Sequence, residues 1–478
     1  MAALLWVPLA LPLLLAAVGF AFRARYWTLM LPVISAAMLL LTGIALISVV
    51  LNAAPVVAIE GWLRVDALSA WMLAVVGAVA VVALAGGVPS RAKAGSSVGS
   101  FAALLNLFLA AMSLALVADN VGLMWVAIEL TTITTAFLVA SGEGKHALEA
   151  AWKYVVLGAV GVAIAFLGVA LLSAAAMSHA ESGVSWTALL THAATLDPVM
   201  VKLAGALAVL GFATKAGLAP MHSWLPDAHS QAPAPVSGLM SGVLLSVAFS
   251  VILRIQAVVD AAVGPELMRT LLLTGGLLSL AVAAGLMLTQ TDYKRLLAYS
   301  SIEHMGLLAL GAAVGGELAI AAVLLHVLGH GLIKSTMFVL AGRISEAVGS
   351  HRIAAVHGLL KVRPDLGAPF LLGTAGLLGF PPFVTFFTEV AIIIAGFSRG
   401  LGWQMAVACV LLLVIFAGIT RQVLAMTLGA GEPAPGRPVW WRRLPIWAGL
   451  LAAMAISFAL WPLAPVLTAA VAALGGAQ

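Results

Sequence analysis

The stretch LLHVLGHGLIKSTMFVLAG, residues 324–342, is apolar apart from His326, His330, Lys334 and a few small polar residues. The three titratable residues are spaced by four, so a helix would carry them on nearly the same face. They would span ~12 Å along the helix axis, at ~1.5 Å per residue. Because an isolated charge is costly in apolar surroundings, these groups must be either paired or used. The stretch predicts a buried helix that carries a row of polar groups.

The composition of the whole chain agrees with an apolar environment. Charged residues make up 9% of the 478 residues and hydrophobic residues 63%, against a usual charged share of ~25%. The apolar runs are roughly 18–27 residues long, which suits helices that cross ~30 Å of hydrocarbon. The chain is therefore expected to be an all-α integral membrane protein. Its lone Cys409 excludes an internal disulfide framework and a cysteine-based metal cluster.

Apolar runs between polar or Gly/Pro-rich breaks predict fourteen transmembrane helices. They lie at 3–22, 28–50, 67–87, 101–118, 121–140, 153–177, 200–219, 236–257, 268–289, 297–315, 318–342, 368–397, 401–426 and 445–473. The first run has no positive residue before it and is followed by Arg23 and Arg25. This order predicts a retained helix rather than a secretory signal.

The distribution of Lys and Arg predicts the orientation of these helices. With the N-terminus outside, the inward connections hold 15 of the 23 basic residues and the outward connections five. The outward five are Arg64, Lys202, Arg254, Arg269 and Arg399, and the inward set includes Arg91, Lys93 and Arg437. The bias predicts both termini outside. It also explains the net charge of +5 without a nucleic-acid partner.

The remaining three lysines, Lys153, Lys215 and Lys334, fall inside or at the edge of predicted spans. An uncompensated charge at a helix centre costs at least ~2.5–3.5 kcal/mol on insertion scales. Glu129, in the middle of the fifth span, is a candidate partner that would keep itself and Lys215 ionised. The alternative is a structural ion pair between helices, although buried pairs stabilise weakly compared with apolar packing.

Prolines interrupt two of the predicted spans. Pro220 and Pro226 follow Lys215 in the seventh span, and Pro381 and Pro382 lie in the middle of the twelfth. Proline removes a helical hydrogen bond, so the freed carbonyls need polar partners. Interrupted helices in corresponding halves of a membrane protein indicate a transport site.

The spacing of buried charges suggests an internal repeat. Glu129 and Lys215 are 86 residues apart, as are Glu303 and Glu389, and the two pairs are offset by 174 residues. Five helices separate them, so the two units would be inverted in the membrane. We predict two five-helix repeats, 101–260 (helices 4–8) and 261–430 (helices 9–13), between an N-terminal region 1–100 and a C-terminal region 431–478.

The row of His326, His330 and Lys334 is typical of a proton relay, because imidazole titrates near neutrality and both donates and accepts. Two further interpretations stay open: a zinc site, since histidines four residues apart can bind zinc, and core histidines without a function. No Glu follows the first histidine, and the lysine one turn away opposes a bound cation. No metal is therefore predicted.

Several other titratable residues are secondary candidates. His222, Asp227 and His229 are predicted in an inward loop, where they either feed protons in or cap the loop, and Lys294 is predicted to anchor the start of a helix. Glu303 and His304 are adjacent, so at most one of them is expected to face the polar interior. Trp440 and Trp441 are typical of an interfacial belt.

With these residues assembled, the chain resembles the antiporter-like subunits shared by respiratory complex I, Mrp sodium/proton antiporters and membrane-bound NiFe hydrogenases. The resemblance rests on ATKAGLAPMHSWLPDAHSQAPAPVSG (213–238) and TDYKRLLAYSSIEHMG (291–306), and covers roughly residues 65–430. Within that family, EAAWKYVVLGAVG (149–161), SSIEHMG (300–306) and HVLGHGLIKS (326–335) look most like the hydrogenase-4 component F type.

The resemblance implies fourteen helices with helices 4–8 and 9–13 as inverted repeats, in a bacterial or archaeal cytoplasmic membrane. It implies that Glu129, Lys215 and Glu389 match the ionisable residues of the family's helices five, seven and twelve. One departure is Ser246, which stands where several relatives carry a lysine in helix eight. A hydroxyl holds no charge at neutral pH, so a proton must cross there by water or a neighbouring group.

These observations predict a proton-translocating subunit of a redox complex, assembled with other membrane subunits and a peripheral hydrogenase or other redox arm. The chain carries no flavin, nucleotide or iron–sulfur motif, so no redox centre or cofactor of its own is expected. The alternatives are a cation/proton antiporter subunit, which would need a sodium site of hard oxygen ligands, a structural relic that moves no ion, and a subunit that energises inorganic-carbon uptake.

Overall fold

The computed structural model describes residues 2–87, 97–142, 144–176, 185–430 and 442–475. Two predictions concern residues outside these ranges. They are the inward connections that contain Arg91, Lys93 and Arg437, and the interfacial belt that contains Trp440 and Trp441. Within them the chain forms twenty α-helices and one short hairpin. The helices are α1 (Ala2–Ala21), α2 (Met30–Asn52), α3 (Ala67–Gly86), α4 (Val98–Val117), α5 (Val121–Ala140), α6 (Lys145–Ala175), α7 (Trp186–Thr191), α8 (Pro198–Ala216), α9 (Trp224–Gln231), α10 (Ala234–Leu239), α11 (Leu245–Val263), α12 (Glu266–Met287), α13 (Tyr293–Val314), α14 (Gly316–Val348), α15 (Leu359–Val362), α16 (Pro364–Leu377), α17 (Val384–Ser398), α18 (Gly402–Thr427), α19 (Leu444–Phe458) and α20 (Leu460–Ala473).

The helices confirm the predicted class of multi-span membrane protein. Among the described residues, twelve are long and apolar enough to cross a membrane, or thirteen if the pair α19 and α20, bent by 83°, is one span. A π-helical turn, Met240–Leu244, joins α10 to α11 in one continuous helix. The halves α16 and α17 are each too short to be counted, so the number fourteen stays a prediction.

Side-chain caps and small residues explain where helices start and how closely they pack. Asp66, Asn120 and Asp292 each accept a hydrogen bond from a backbone N–H three residues on, which starts α3, α5 and α13. A Cβ atom on Gly306 would lie 3.0 Å from the carbonyl oxygen of Gly276. Such contacts let α12 and α13 approach closely, as small residues do between helices in membranes.

Both predicted helix breaks are present, and at each a side chain after the break donates to a backbone carbonyl before it. Residues 217–223 separate α8 from α9, and residues 378–383 separate α16 from α17. The Ala219–Pro220 and Pro381–Pro382 peptide bonds in these breaks are cis. Trp224 Nε1 donates to the carbonyl of Thr214 at 2.7 Å, which confirms the expected polar partner. The prediction that Pro226 breaks a helix is wrong, because it lies in the first turn of α9, where proline is tolerated.

The matched spacing that suggested the repeat joins positions that are not equivalent. Lys215 is the penultimate residue of α8, just before its break, whereas Glu389 lies in α17, after the other break. The 86-residue coincidence therefore carries no weight. The two five-helix units stay a prediction, supported by the broken helix in each.

One buried ion pair closes the end of the molecule near the hairpin, β1 (Val56–Ile59) and β2 (Leu63–Val65). Both terminal nitrogens of Arg254 donate to Asp66 at 2.9 Å, and one also donates to Ser69 Oγ at 2.9 Å. Burial pushes the pKa of Asp66 up, but Arg254 and the Ser69 N–H outweigh it, so the pKa is lowered. The expectation that Arg254 lies in an outward loop is wrong, because it is buried within α11.

The centre of the molecule is formed by three enclosed elements. In the helix 234–263 and in α13, the most apolar 18-residue stretch is completely buried, and most of the corresponding stretch of α14 is buried as well. The helices α1, α2 and α18 expose most of their apolar surface. Polar groups on the three central elements are therefore screened from the lipid by the surrounding helices.

Candidate functional site

The first half of the candidate site is built around Lys215, which is fully buried at the end of α8. Its Nζ donates to Tyr154 Oη at 3.0 Å, and this hydroxyl lies 2.6 Å from Thr135 Oγ1. Gly158 makes room for the ammonium, because a Cβ there would lie 3.2 Å from Nζ. The result is a hydroxyl-to-lysine chain that links α5, α6 and α8.

Glu129 lies beside this chain without an ion pair to Lys215 among the described residues. Its carboxylate accepts from Thr132 Oγ1 at 3.1 Å, and the residue is half-buried on α5. It is close enough to act on the charge of Lys215. Lys215 therefore has a nearby carboxylate as well as a direct hydroxyl partner, so its environment can change with small movements of Glu129.

Lys153 lies outside the buried row and belongs to a half-exposed charge cluster. Its side chain is 42% exposed and contacts Glu149 at 2.6 Å and Asp227 at 3.5 Å. Asp227 also contacts Arg295 from α13 at 3.2 Å. The cluster ties α6, α9 and α13 together at one end of the molecule.

The prediction that Asp227 and His229 lie in a loop is wrong, because both belong to the helix α9; His222 is in the turn before it. His229 is fully buried, with ring-centroid distances of 6.0 Å to Trp224 and 5.6 Å to Phe338. Neither of its ring nitrogens has a hydrogen-bond partner in the described part of the chain. His229 therefore lies between the Lys215 region and α14.

Two further lysines are buried, one on α13 and one on α14. Lys294 donates to the carbonyls of Ser230 and Ala232, both at 3.0 Å, at the C-terminal end of α9. A cation there complements the free carbonyls of a helix end, so Lys294 holds the start of α13 against the end of α9. Lys334 donates to the carbonyl of Leu297 at 2.7 Å.

The second half of the site is a cluster of three histidines. His304 Nδ1 lies 3.1 Å from His326 Nε2, and the ring centroids of His304 and His330 are 4.7 Å apart. Glu303 is also buried and is close enough to act on the charge of Lys334. The expectation that only one of Glu303 and His304 faces the interior is therefore wrong, because α13 is enclosed on all sides.

Thr388 adds a hydroxyl to this cluster. Its Oγ1 lies 2.8 Å from His326 Nδ1 and 2.9 Å from the carbonyl oxygen of Thr385. In the contact between His326 Nε2 and His304 Nδ1, one nitrogen donates and the other accepts. His304 Nε2 has no protein partner among the described residues.

The same region contains three side chains of the types that bind metal ions. His304, His326 and Glu389 bring one ligand atom each within 4.8 Å of one another. Two nitrogens of this group are hydrogen-bonded to each other, which is the arrangement of a relay. The geometry therefore favours proton transfer over metal binding.

Ser246 lies in α11 directly after the π-helical turn and is buried. Its Oγ has no protein partner among the described residues. One π-helical turn within an α-helix is frequent at functional sites. Ser246 is thus a buried hydroxyl whose hydrogen-bonding positions are open to water.

Tyr154, Thr135, Trp224 and Thr388 are site residues that the sequence did not single out. Tyr154 directly follows Lys153, and a tyrosine beside a charged residue in an apolar span is a signal that was available. The two threonines carry no such signal, because threonine is common in apolar helices and their role depends on neighbours from other helices.

Comparisons with known proteins agree with this architecture. Residues 118–416 match the family described as NADH:quinone oxidoreductase/Mrp antiporter, transmembrane. A hydrogenase-4 component F homolog of Methylacidiphilum infernorum is 38% identical over 67% of this chain and 68% of its own length. The NADH-quinone oxidoreductase subunit N of Desulforudis audaxviator is 31% identical over 71% of this chain and 68% of its own length.

The fold is also that of a solved membrane complex. A chain of the archaeal membrane-bound sulfane sulfur reductase superposes with a TM-score of 0.90 and 24% identity, covering 100% of this chain and 98% of that one. The family match extends over well more than half of the sequence. This chain is a member of the transmembrane NADH:quinone oxidoreductase/Mrp antiporter family.

Proposed function

We propose that this chain is the proton-translocating membrane subunit of a multi-subunit redox complex, of the membrane-bound NiFe hydrogenase or formate-hydrogenlyase type. The observation that carries the proposal is a row of titratable groups that runs from the half-buried Glu129 on α5, through fully buried lysines and histidines, to the half-buried Glu389 on α17. Two similar proteins are named as a hydrogenase component and an oxidoreductase subunit, which supports a redox partner.

The first half of the row loads a proton. Lys215 exchanges it with Tyr154 and Thr135, whose hydroxyls both donate and accept. When Glu129 is ionised nearby, the ammonium form of Lys215 is favoured. When Glu129 is neutralised or drawn away by a neighbouring subunit, Lys215 releases its proton towards His229.

The second half conducts the proton across the central helices. His229 and Lys334 lead to His330, His304 and His326, whose rings are within 6.2 Å of one another. Bridging waters can span the remaining gaps. Glu389 follows Thr388, the partner of His326, and is one exit from the cluster.

The orientation and the repeat belong to the same proposal. We infer that both termini lie outside, from the excess of Lys and Arg in the other set of connections. Residues 101–260 and 261–430 would then be two inverted units, each with a broken helix and its own buried lysine.

Purification through a tag on this chain, in mild detergent, tests the redox partner. Mass spectrometry is expected to find a NiFe hydrogenase large subunit and iron–sulfur proteins together with other membrane subunits. A preparation that contains only multi-span subunits would contradict the redox complex and favour the cation/proton antiporter. Sodium-dependent quenching of a pH-sensitive dye in vesicles would then be the test of that alternative. A single soluble carbon-handling partner would favour an inorganic-carbon uptake system.

A further inference from the structure

A cavity of about 290 Å³ lies at the end of α11 that is distant from the π-helical turn. It is lined by residues of α11, by Gly315 and Gly316 at the start of α14, and by the end of α20 and the residues after it. At ~30 Å³ per molecule this volume suits roughly ten waters. The orientation proposed above puts this end of α11 at the outer face.

Two oxygen atoms in the cavity wall have no protein partner among the described residues. They are Oδ1 of Asp260 and Oε1 of Gln256, and both are buried. The amide group of Gln256 is held by its Nε2, which donates to the carbonyl of Ala312 at 3.1 Å. Buried polar atoms are normally paired with protein or water, so these two oxygens have a capacity to accept hydrogen bonds that no protein donor uses.

One face of α11 leads from Ser246 to this cavity and begins with two serines. Ser246, Ser250, Leu253, Ala257 and Asp260 follow one another at intervals of three or four residues, so they share one face of the helix. Both serines are buried. The distance from Ser246 to Asp260 along the axis is ~21 Å, at ~1.5 Å per residue.

The helix 234–263 and α14 run antiparallel and approach each other at two places. At the start of the helix, a Cβ on Gly238 would lie 3.4 Å from Ser335, and one on Gly242 would lie 3.0 Å from the carbonyl oxygen of Gly331. Further along, Leu253 and Ala257 line the cavity together with Ile320 and Gly316 of α14. Ser246 lies between these two places on one helix, and His326 lies between them on the other.

We propose that the face of α11 from Ser246 to Asp260 is a proton exit branch, and that Asp260 is the last protein group to hold the proton before the outer solution. The inference rests on the proposed function. In each step a proton leaves an imidazolium of the histidine cluster, passes through water held by Ser246 and Ser250, and binds the Asp260 carboxylate. Release to cavity water regenerates the carboxylate, so no other reactant is needed. The branch also gives Ser246, which stands where several relatives carry a lysine, a role in holding the water that conducts the proton.

The first test replaces the terminal carboxylate in the intact complex. We expect Asp260→Asn to lower the number of protons released per electron at least threefold, in membrane vesicles supplied with dihydrogen as electron donor. Asp260→Glu is expected to restore release, because it retains a titratable group. The matched control is Asp197→Asn, an exposed cap of α8 whose amide oxygen still accepts from the backbone. Normal release by Asp260→Asn would overturn the exit branch.

A second test probes access and does not depend on the carboxylate. In a Cys409→Ser background, Ala257→Cys places a thiol in the cavity wall. A membrane-impermeant cationic methanethiosulfonate reagent, added from outside, is expected to lower proton release at least threefold. The same treatment of Cys409→Ser alone is the control. Full release after complete labelling of Ala257→Cys would overturn the proposal.

Lys215→Ala, assayed in the same preparation, distinguishes a failure of the exit branch from a failure of the proposed function. If Lys215→Ala abolishes proton release and Asp260→Asn is normal, only the exit branch is wrong. If Lys215→Ala releases protons normally, the proposed function itself is wrong.

Discussion

Two buried polar regions of this protein differ in how their hydrogen bonds are satisfied. Around Asp66 and Arg254, both terminal nitrogens of the arginine donate to carboxylate oxygens and the guanidinium lies 4.6 Å from the ring of Trp186. In the row from Lys215 to Glu389, both nitrogens of His229 and His330 have no protein partner within the described residues.

This difference distinguishes buried polar groups that stabilise the fold from buried polar groups that are available for proton transfer. A fully paired group has one favourable arrangement, so it fixes the packing of the helices that carry it. A buried group with free donor and acceptor positions costs stability, yet it can take up or release a proton without breaking a native contact. The two regions should therefore respond in opposite ways to substitution, in stability at one and in proton transfer at the other.

The largest expected effect on stability is at the paired region. Asp66→Asn leaves the buried Arg254 without its countercharge, so we expect the free energy of unfolding in detergent to fall by about 3–5 kcal/mol. Asp197→Asn is the control, with a change below ~0.5 kcal/mol. Because the pKa of Asp66 is lowered in the fold, its contribution is present above the ordinary aspartate pKa of ~3.9 and is lost as the pH falls through the lowered value. Equal free energies of unfolding for Asp66→Asn and the wild type would contradict a structural role for the Asp66–Arg254 pair.

The next effect is expected at a histidine of the row that has no protein partner among the described residues. His330→Gln removes a titratable ring that has no protein hydrogen bond to lose, so proton release per electron should fall at least tenfold. The free energy of unfolding should change by less than ~1 kcal/mol. His326→Gln, which loses bonds to His304 and Thr388, should lose both proton release and stability. Unfolding of His330→Gln as severe as that of Asp66→Asn would show that the row is structural.

A smaller effect is expected at the hydroxyl beside Lys215. Tyr154→Phe breaks the chain from Thr135 to Lys215, and water can replace only part of it. We expect a threefold to tenfold loss of proton release in vesicle assays, with assembly unchanged. Tyr299→Phe, another buried tyrosine, is the control. A wild-type rate for Tyr154→Phe would remove the tyrosine from the pathway.

The smallest effect is expected at Lys153, which the structure places in a half-exposed cluster. Its ion pair with Glu149 is surface-exposed, and such pairs contribute little. Lys153→Ala should change proton release less than twofold. A loss of tenfold or more, with normal assembly, would return this lysine to the pathway that its sequence position suggested.

Much of the fold was predictable because membrane helices are long and apolar. The predicted span 121–140 coincides with α5, and both proline breaks are where the sequence placed them. α6 begins eight residues before its predicted start, because Glu149 pairs with Lys153 and allows charged residues in the helix. Arg254 was counted with an outward connection, although it falls within the predicted span 236–257. Its partner Asp66 is 188 residues away, so the charge looked unpaired.

The candidate site was less predictable, because periodicity describes one helix at a time. The row of His326, His330 and Lys334 was visible within α14. The contact of His304 with His326 and that of Tyr154 with Lys215 both join residues of different helices. Asp260 was missed because a carboxylate near the end of an apolar run is also what a loop would carry.

The central claim is that the row from Lys215 to Glu389 moves protons, and the number of protons released per electron in Lys215→Ala tests it most directly. Intact complexes in sealed vesicles would be compared with wild type and with Lys202→Ala, an exposed lysine of the same helix. The account predicts complete loss for Lys215→Ala, with subunit composition and electron transfer retained, and no change for Lys202→Ala. Normal proton release by a fully assembled Lys215→Ala complex would contradict it.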